Sequence, residues 1–378
     1  MRVTFVVRSL ATGGAERQVV ATSRLLAEAG HDVRLVVLSS DLSLATPLTG
    51  TKVRLVVIDK VSRWPTLNWI RRFRRVLREA TPDIVCPWMP AEGLLTWLFA
   101  AGAQRRRILW SVRTSHLDLS AYDRITALVF QLHRRLARRG SGLGVVFNSF
   151  AGADSYGIRP DGVIHRIIWN AIDFDAFRPD PSLGRKWLRE MGFSVTMPLV
   201  ASIGRISPEK DHLAFIRAAY LVSQEAPSVH FAIAGGGAPA ATARLVDAIR
   251  EHQLDSVFTL LGNRSDVSAI LNAARVVVSS SRCGEGVQNA LAEAMACGRP
   301  IVATNVGDAA RFLARCDVLV PPGDVRQLAD AILKQLNMDN DEHAAERLTR
   351  ARSCFSPARM RMEWDDCIRS VSRMDDEI

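Results

Sequence analysis

The chain has 378 residues, 48% hydrophobic and 23% charged, a balance that excludes a disordered or fibrous protein and leaves two domains of about 150 residues each as the prior. The longest apolar stretch, residues 93–103, has 11 residues, too few to cross a bilayer, and the apolar centre of residues 1–8 is too short for a signal peptide; a cytoplasmic protein is expected. The net charge of +10 is uneven, with 25 basic and 12 acidic residues in 1–170 against 24 and 27 in 171–378, so the N-terminal half is expected to meet an anionic partner: a membrane surface, a phosphorylated acceptor or nucleic acid.

Taken in chain order, short β-branched runs alternate with helices. Runs at 3–7, 33–38 and 53–58 predict strands, and an amphipathic helix over 15–29 turns Val19, Val20, Leu25 and Leu26 inward. Residues 64–78 form a basic amphipathic helix, with Leu67, Ile70, Phe73 and Leu77 on one face and Arg71, Arg72, Arg74, Arg75 and Arg78 on the rest. Strands at 84–86, 108–112 and 144–147 continue the series, and residues 128–139 form a second basic helix, with Leu132 and Leu136 beside Arg134, Arg135, Arg138 and Arg139. The plain reading packs each apolar stripe on the sheet; the functional one adds anionic lipid against the arginines. Residues 170–181, rich in Pro and Asp, read as the interdomain connection.

A second series follows, with strands at 199–203, 229–234, 257–261, 276–279, 301–303 and 318–320 and helices including 211–225, 240–252 and 288–297. Strands of this kind are parallel and covered on both faces. The fold class is therefore α/β, with two Rossmann-like domains at 1–172 and 173–358. The long last helix, 357–374, would return to the first domain through residues 359–378. Six cysteines lack any Cys-x2-Cys pair and any His at ligand spacing, so reduced thiols and no metal are expected.

Three segments carry chemistry. The first runs from Ser279 to Pro300. A strand ends in Ser279-Ser280-Ser281, a glycine-flanked turn holds Glu285 and Gly286, and Val287, Gln288 and Asn289 lead into a helix. Free N–H groups at such a helix start bind phosphate. Glu293 lies two turns beyond Glu285 on nearly the same face, and two such carboxylates suit hydroxyl-rich groups on either side of a diphosphate. The competing reading is a plain αβ unit with Glu293 solvated. Gly298-Arg299-Pro300 would close the helix.

The second segment is Gly204-Arg205-Ile206-Ser207-Pro208-Glu209-Lys210-Asp211, at the carboxyl end of a strand. Ser207 is the expected N-cap, and Arg205 and Lys210 suit a departing diphosphate; two surface cations are the alternative. The third is Gly13-Gly14-Ala15-Glu16-Arg17, where paired glycines admit a ligand close to a helix start or simply make a tight turn. Gly235-Gly236-Gly237-Ala238-Pro239-Ala240 fits a dinucleotide fingerprint but follows the second strand of its domain, where such a site does not belong. His116, near Arg113 after the strand at 108–112, is a lone loop histidine.

Together these residues resemble the retaining glycosyltransferases of family 4, of the bacterial cell-surface polysaccharide type. The likeness runs from Gly13-Gly14-Ala15-Glu16-Arg17 through Asn148-Ser149, Asn170-Ala171-Ile172-Asp173 and Gly204-Arg205 with Lys210 to Glu285-x7-Glu293 and Gly298-Arg299-Pro300. The resemblance implies a GT-B fold, its two domains facing each other across a cleft. It also implies a nucleotide-sugar co-substrate, UDP- or GDP-linked, with no cofactor or metal.

By position, Arg205 and Lys210 would neutralise the diphosphate and Glu285 would contact the sugar beside the reacting carbon. Gly204 and backbone N–H groups of Gly286, Val287, Gln288 and Asn289 would hold the donor, and Glu293 its ribose. Gly262 and Arg264 would frame the base. Gly13, Gly14, Arg113 and His116 would lie on the acceptor or diphosphate side. Family members often carry an aromatic and a Gly or Pro where this chain has Val287 and Gln288, and a cleft histidine where it has Arg113. The expected acceptor is a polysaccharide or lipid-linked saccharide, the expected place peripheral on the inner face of the plasma membrane. The rivals are a sugar-nucleotide epimerase of the same fold and a basic nucleic-acid-binding protein; nucleic acid is not the expected partner, because aromatics are not interleaved with the basic runs.

Overall fold

The structure is a computed structural model that describes residues 1–378 except 12, 60–65, 117–118, 120–121, 159–163, 339–341 and 376–378, and except the side chains of 164 and 372–375. Trp64, at the start of the first predicted basic helix, lies outside the described residues. The chain divides into two compact units, Met1–Ala171 with Pro357–Ile378, and Ile172–Ser356.

In unit 1 the order is β1 (Arg2–Val7), α1 (Gly14–Glu28), β2 (Asp32–Val37), β3 (Arg54–Val57), α2 (Leu67–Ala80), β4 (Ile84–Pro87), α3 (Pro90–Phe99), α4 (Gly102–Arg106), β5 (Leu109–Val112), α5 (Arg124–Arg138), β6 (Gly144–Phe147), α6 (Phe150–Tyr156) and β7 (Ile164–Ile167). Unit 2 holds α7 (Pro181–Glu190), β8 (Leu199–Ile203), α8 (His212–Glu225), β9 (His230–Ala234), α9 (Pro239–Glu251), β10 (Phe258–Gly262), α10 (Val267–Ala273), β11 (Ala274–Ser279), α11 (Asn289–Ala296), β12 (Ile301–Thr304), α12 (Ala309–Phe312), β13 (Val318–Val320), α13 (Val325–Asn337) and α14 (Ala344–Phe355). The chain then returns to unit 1 as α15 (Pro357–Asp375).

All pairings are parallel. Unit 1 has a sheet of order β3-β2-β1-β4 and one of order β5-β6-β7, bridged by Val85 and Ile108. Unit 2 has one sheet of order β10-β9-β8-β11-β12-β13. In both, the order reverses next to the first strand, between β1 and β4 and between β8 and β11. Open α/β sheets bind ligands outside the carboxyl ends of strands at such a switch point. The β-branched strands are buried on both faces, as parallel sheets require.

The core of unit 1 is completed from the far end of the chain. Met360, Trp364, Cys367, Ile368 and Val371 of α15 are buried with Val3, Phe5, Leu26, Leu35 and Trp88, and His31 is hydrogen-bonded to Asp365 at 2.8 Å.

The two basic helices depart from the plain reading in different degrees. In α2, Phe73 and Leu77 are buried with Trp69 and Val76, but Leu67 is 71% exposed. Arg72 and Arg74 are tied to the carbonyls of Val57, Ile58 and Phe99. In α5 the buried residues are His133 and Ala137, while Ile125, Leu128 and Leu132 form an exposed apolar stripe. Of the predicted pair, Leu136 packs against the core of β5 and β6 while Leu132 stays exposed, so the α5 stripe packs on the sheet only in part. No helix among the described residues is long and apolar enough to cross a membrane.

Candidate functional site

The switch point of unit 2 gathers the βα loops after β8 and β11. Behind β8 the chain passes Gly204 and Arg205 and makes a 3-10 turn over Pro208–Lys210. Ser207 carries no capping hydrogen bond. The cap of α8 is Asp211, in the left-handed region at φ 44°, whose side chain accepts from the Ala214 N–H. The expected cap at Ser207 is thus displaced by four residues, because the short turn intervenes. That turn folds the Lys210 side chain back over Gly204, where a Cβ would lie 3.4 Å from Lys210 Cε.

The Lys210 ammonium donates to Glu285 Oε1 at 2.6 Å, and Ser281 Oγ donates to the same oxygen at 2.7 Å. Ser280 Oγ donates to the Lys210 carbonyl, and the Arg282 N–H to that of Glu209. The two loops are thereby knitted together, and Glu285 is buried. Arg205 points elsewhere: it is 78% exposed and pairs with Glu209 at 3.7 Å.

Glu285 belongs to the loop and not to α11, which starts at Asn289. Glu293 therefore lies one turn into the helix, and the shared helical face expected for the two carboxylates does not form. Glu293 is 2% exposed, so it is not on a solvated face. The start of α11 has no side-chain cap. The Gln288 side chain instead accepts from Ser279 Oγ at 2.6 Å, with its Nε2 buried and unpartnered. Val287 turns its side chain inward. At the other end, Gly298 at φ 69° donates to Met295 and Arg299 to Ala294, the paired bonds that terminate a helix at a left-handed glycine.

Two supports were not visible in the sequence. Gly307, at φ 63°, lies so close under the turn that a Cβ would meet the Gly286 and Glu285 carbonyl oxygens at 2.4 and 2.7 Å, and the Asp308 N–H donates to the Gly286 carbonyl. Thr304 Oγ1 donates to the Ser281 carbonyl. The only local signal was the Ser279-Ser280-Ser281 run, small hydroxyls at a strand end.

The glycines at 235–237 have a packing role. A Cβ on Gly235 would fall 1.9 Å from the Gly204 carbonyl oxygen, and Gly237 forms a bridge with Ile206. They let the loop after β9 lie against the loop that carries Arg205. Gly262 ends β10 at φ 66°. Arg264 is held by Asp266 through Nε at 2.8 Å and Nη2 at 2.5 Å, and Asp266 also accepts from Trp187 Nε1. These bonds hold the Asp266 carboxyl below the usual carboxylate range.

In unit 1, Gly13 is the N-cap residue of α1 and Gly14 its first residue. Trp88, just after β4, is buried and donates its indole N–H to the Ala15 carbonyl at 2.8 Å. Arg113, just after β5, lies over the Trp88 ring at 3.7 Å. His116 is exposed.

One group of side chains among the described residues has the spacing of a metal site: Cys316, His343 and Glu346, with ligand atoms within 4.8 Å of one another. Its chemistry is unfavourable, since burial pushes the Cys316 thiol up to about 11 and Glu346 already accepts from the Arg315 N–H. The six cysteines are free, four of them buried.

Residues 12–173 match the family model described as Glycosyltransferase Family 4, and residues 197–338 match that described as Glycosyl transferases group 1. No curated protein matches the chain in sequence. Among solved structures it is similar to Alr3699/HepE of Anabaena in complex with UDP-glucose, at 19% identity over 100% of this chain and 99% of that one, TM-score 0.79. It is also similar to the sucrose-phosphate synthase tll1590 of Thermosynechococcus elongatus, at 17% identity over 98% and 99%, TM-score 0.80. A third is WaaG, a glycosyltransferase involved in lipopolysaccharide biosynthesis, at 15% identity over 97% and 99%, TM-score 0.75. At these identities the likeness shows the fold, which is GT-B.

Proposed function

We propose, from the premise that this chain is a glycosyltransferase, that it moves a sugar from a UDP- or GDP-linked donor to a polysaccharide or lipid-linked saccharide, with retention at the anomeric carbon and without a metal. The observation that carries this reading is the Lys210–Glu285 pair at the switch point of unit 2. An ammonium has three N–H donors. With one on Glu285, two remain for the oxygens of a diphosphate as the sugar–phosphate bond breaks. Arg205, on the solvent side of the same loop, and the uncapped start of α11 add positive potential, so that fixed protein charge does the work of a cation. In this reading Glu285, oriented by Lys210 and Ser281, takes a sugar hydroxyl and Glu293 the ribose. The Anabaena structure named above holds UDP-glucose, which supports a nucleotide-sugar donor. The epimerase alternative is not favoured.

For the acceptor, support comes from unit 1. The exposed stripe Ile125, Leu128 and Leu132 runs beside Arg124, Arg135 and Arg139 of the same helical region, the composition of a helix that rests on an anionic bilayer. A cytoplasmic enzyme attached to the inner membrane face through this helix meets lipid-linked saccharides there.

The test is a thermal-shift panel of UDP- and GDP-linked sugars, followed by turnover of the best donor. Stabilisation by one nucleotide sugar, turnover that persists in chelator and a loss on the order of 10²-fold in Lys210→Ala are expected. A strict requirement for added Mg²⁺, or no response to any nucleotide sugar, overturns the reading.

A further inference from the structure

We infer that Arg113, clamped on Trp88 at the switch point of unit 1, receives a phosphoryl group carried by the acceptor. The inference rests on the glycosyl-transfer reading above and adds the chemical class of the acceptor to it.

The guanidinium is fixed from several parts of the chain. Its Cζ lies 3.7 Å from the Trp88 ring centroid and 5.7 Å from that of Trp364. The two indoles are stacked at 6.1 Å and 20°, and both are buried. Trp88 is anchored to α1 through the Ala15 carbonyl, and Arg113 Nε donates to Ser111 Oγ at 2.8 Å. The plane and position of the cation are therefore set before any ligand arrives, the condition for specific recognition.

What the clamp lacks is a counter-charge. Among the described residues no carboxylate pairs with Arg113, neither Nη atom donates a hydrogen bond, and Nη2 is buried. Burial pulls the guanidinium down to about 10, so it remains a cation at neutral pH. The adjacent Cys86 thiol is pushed up to about 12 and stays neutral. A partly desolvated cation without an anion is costly, and stacking on indole offsets only part of that. Of the two Nη groups, Nη1 is the one that is not buried, and it is left to donate a charge-assisted hydrogen bond to a phosphoryl oxygen. Unit 2 carries its own cations for the donor diphosphate, Lys210 and Arg205. With the donor diphosphate served by unit 2 in that reading, the phosphoryl group at Arg113 is assigned to the acceptor.

The experiment is calorimetric titration of inorganic pyrophosphate into the protein held in saturating UDP, for wild type, Arg113→Gln and Arg113→Lys, with thermal melts to show that each is folded. Pyrophosphate should weaken about tenfold or more in Arg113→Gln. Arg113→Lys should recover only part of this, because an ammonium does not stack flat on the Trp88 ring as the guanidinium does. UDP affinity should be the same in all three, and farnesyl diphosphate should show the same dependence on Arg113. Equal pyrophosphate binding by wild type and Arg113→Gln overturns the inference. So does a loss of UDP affinity in Arg113→Gln, which assigns the group to the donor. If wild type does not bind UDP, the glycosyl-transfer reading falls separately, and the pyrophosphate comparison made without UDP still decides on Arg113.

Discussion

Glu285 and Glu293 hold different stations, and their replacement should separate binding from chemistry. Glu285 shares its Oε1 between Lys210 and Ser281, so Glu285→Ala removes this carboxylate and frees Lys210 to move; the expected effect is mainly on turnover. Glu293 is buried in α11, and Glu293→Ala should weaken nucleotide-sugar binding by about 1.5–3 kcal/mol, one charged hydrogen bond. Calorimetry for the donor and initial rates for turnover check both; unchanged values in both variants refute the assignment. Both carboxylates and Lys210 could be picked out of the sequence because a Gly-bounded turn before a helix and a cation pair after a strand are local patterns. Their supports were illegible for a physical reason. Gly307 acts by a missing Cβ beneath a turn some twenty residues away in sequence, and Arg113 is positioned by Trp364 of the last helix. Neither contact leaves a local pattern.

Elements tell a similar story. The strands were legible as β-branched runs, whereas β7, with the sequence Ile164-His165-Arg166-Ile167, carries too much polarity to be read as one. The helices α2 and α5 were legible as amphipathic, but which face meets the sheet depends on their packing partners. The α5 stripe leads to a prediction about a surface. Wild type should bind anionic but not neutral vesicles, with binding lost at high salt, since each basic residue near such a surface contributes about 1 kcal/mol. Leu128→Glu should reduce binding without changing donor affinity, as should the combined Arg71, Arg72, Arg74 and Arg75→Glu variant. Wild-type protein that ignores anionic vesicles in co-sedimentation at low salt would make a soluble acceptor the better assignment. At the end of unit 2, Arg347 of α14 and Asp317 before β13 form an ion pair at 2.7 Å with both side chains at 0% exposure. Asp317 also accepts the N–H groups of Ile301 and Ala314. Arg347→Ala strands a buried carboxylate and should cost about 3–5 kcal/mol, read as a lower denaturation midpoint; a change under 1 kcal/mol (~0.7 of a tenfold step) would show that water reaches the site.

At the scale of the molecule, the alternation of strands and helices was enough to read two parallel α/β units, because that pattern admits few topologies. The strand orders are properties of pairing between distant segments and had to be seen. The return of α15 makes unit 1 discontinuous in sequence, with Trp364 stacked on Trp88 and set edge-on to Phe5. Trp364→Ala should cost about 3–5 kcal/mol as a large aromatic core deletion and lower the thermal transition of unit 1 while leaving that of unit 2 in place; a uniform shift of a single transition in calorimetry would argue against separate units. The same return has a consequence for synthesis. Domains commonly fold as they leave the ribosome, the first made folding first. Here β1 and α1 emerge early but wait for α15, while residues 172–356, made in between, carry a complete core of their own. The unit translated second is thus the first whose core residues are all available, and the apolar surface that Phe5, Leu35 and Trp88 share with α15 stays uncovered until that helix is made.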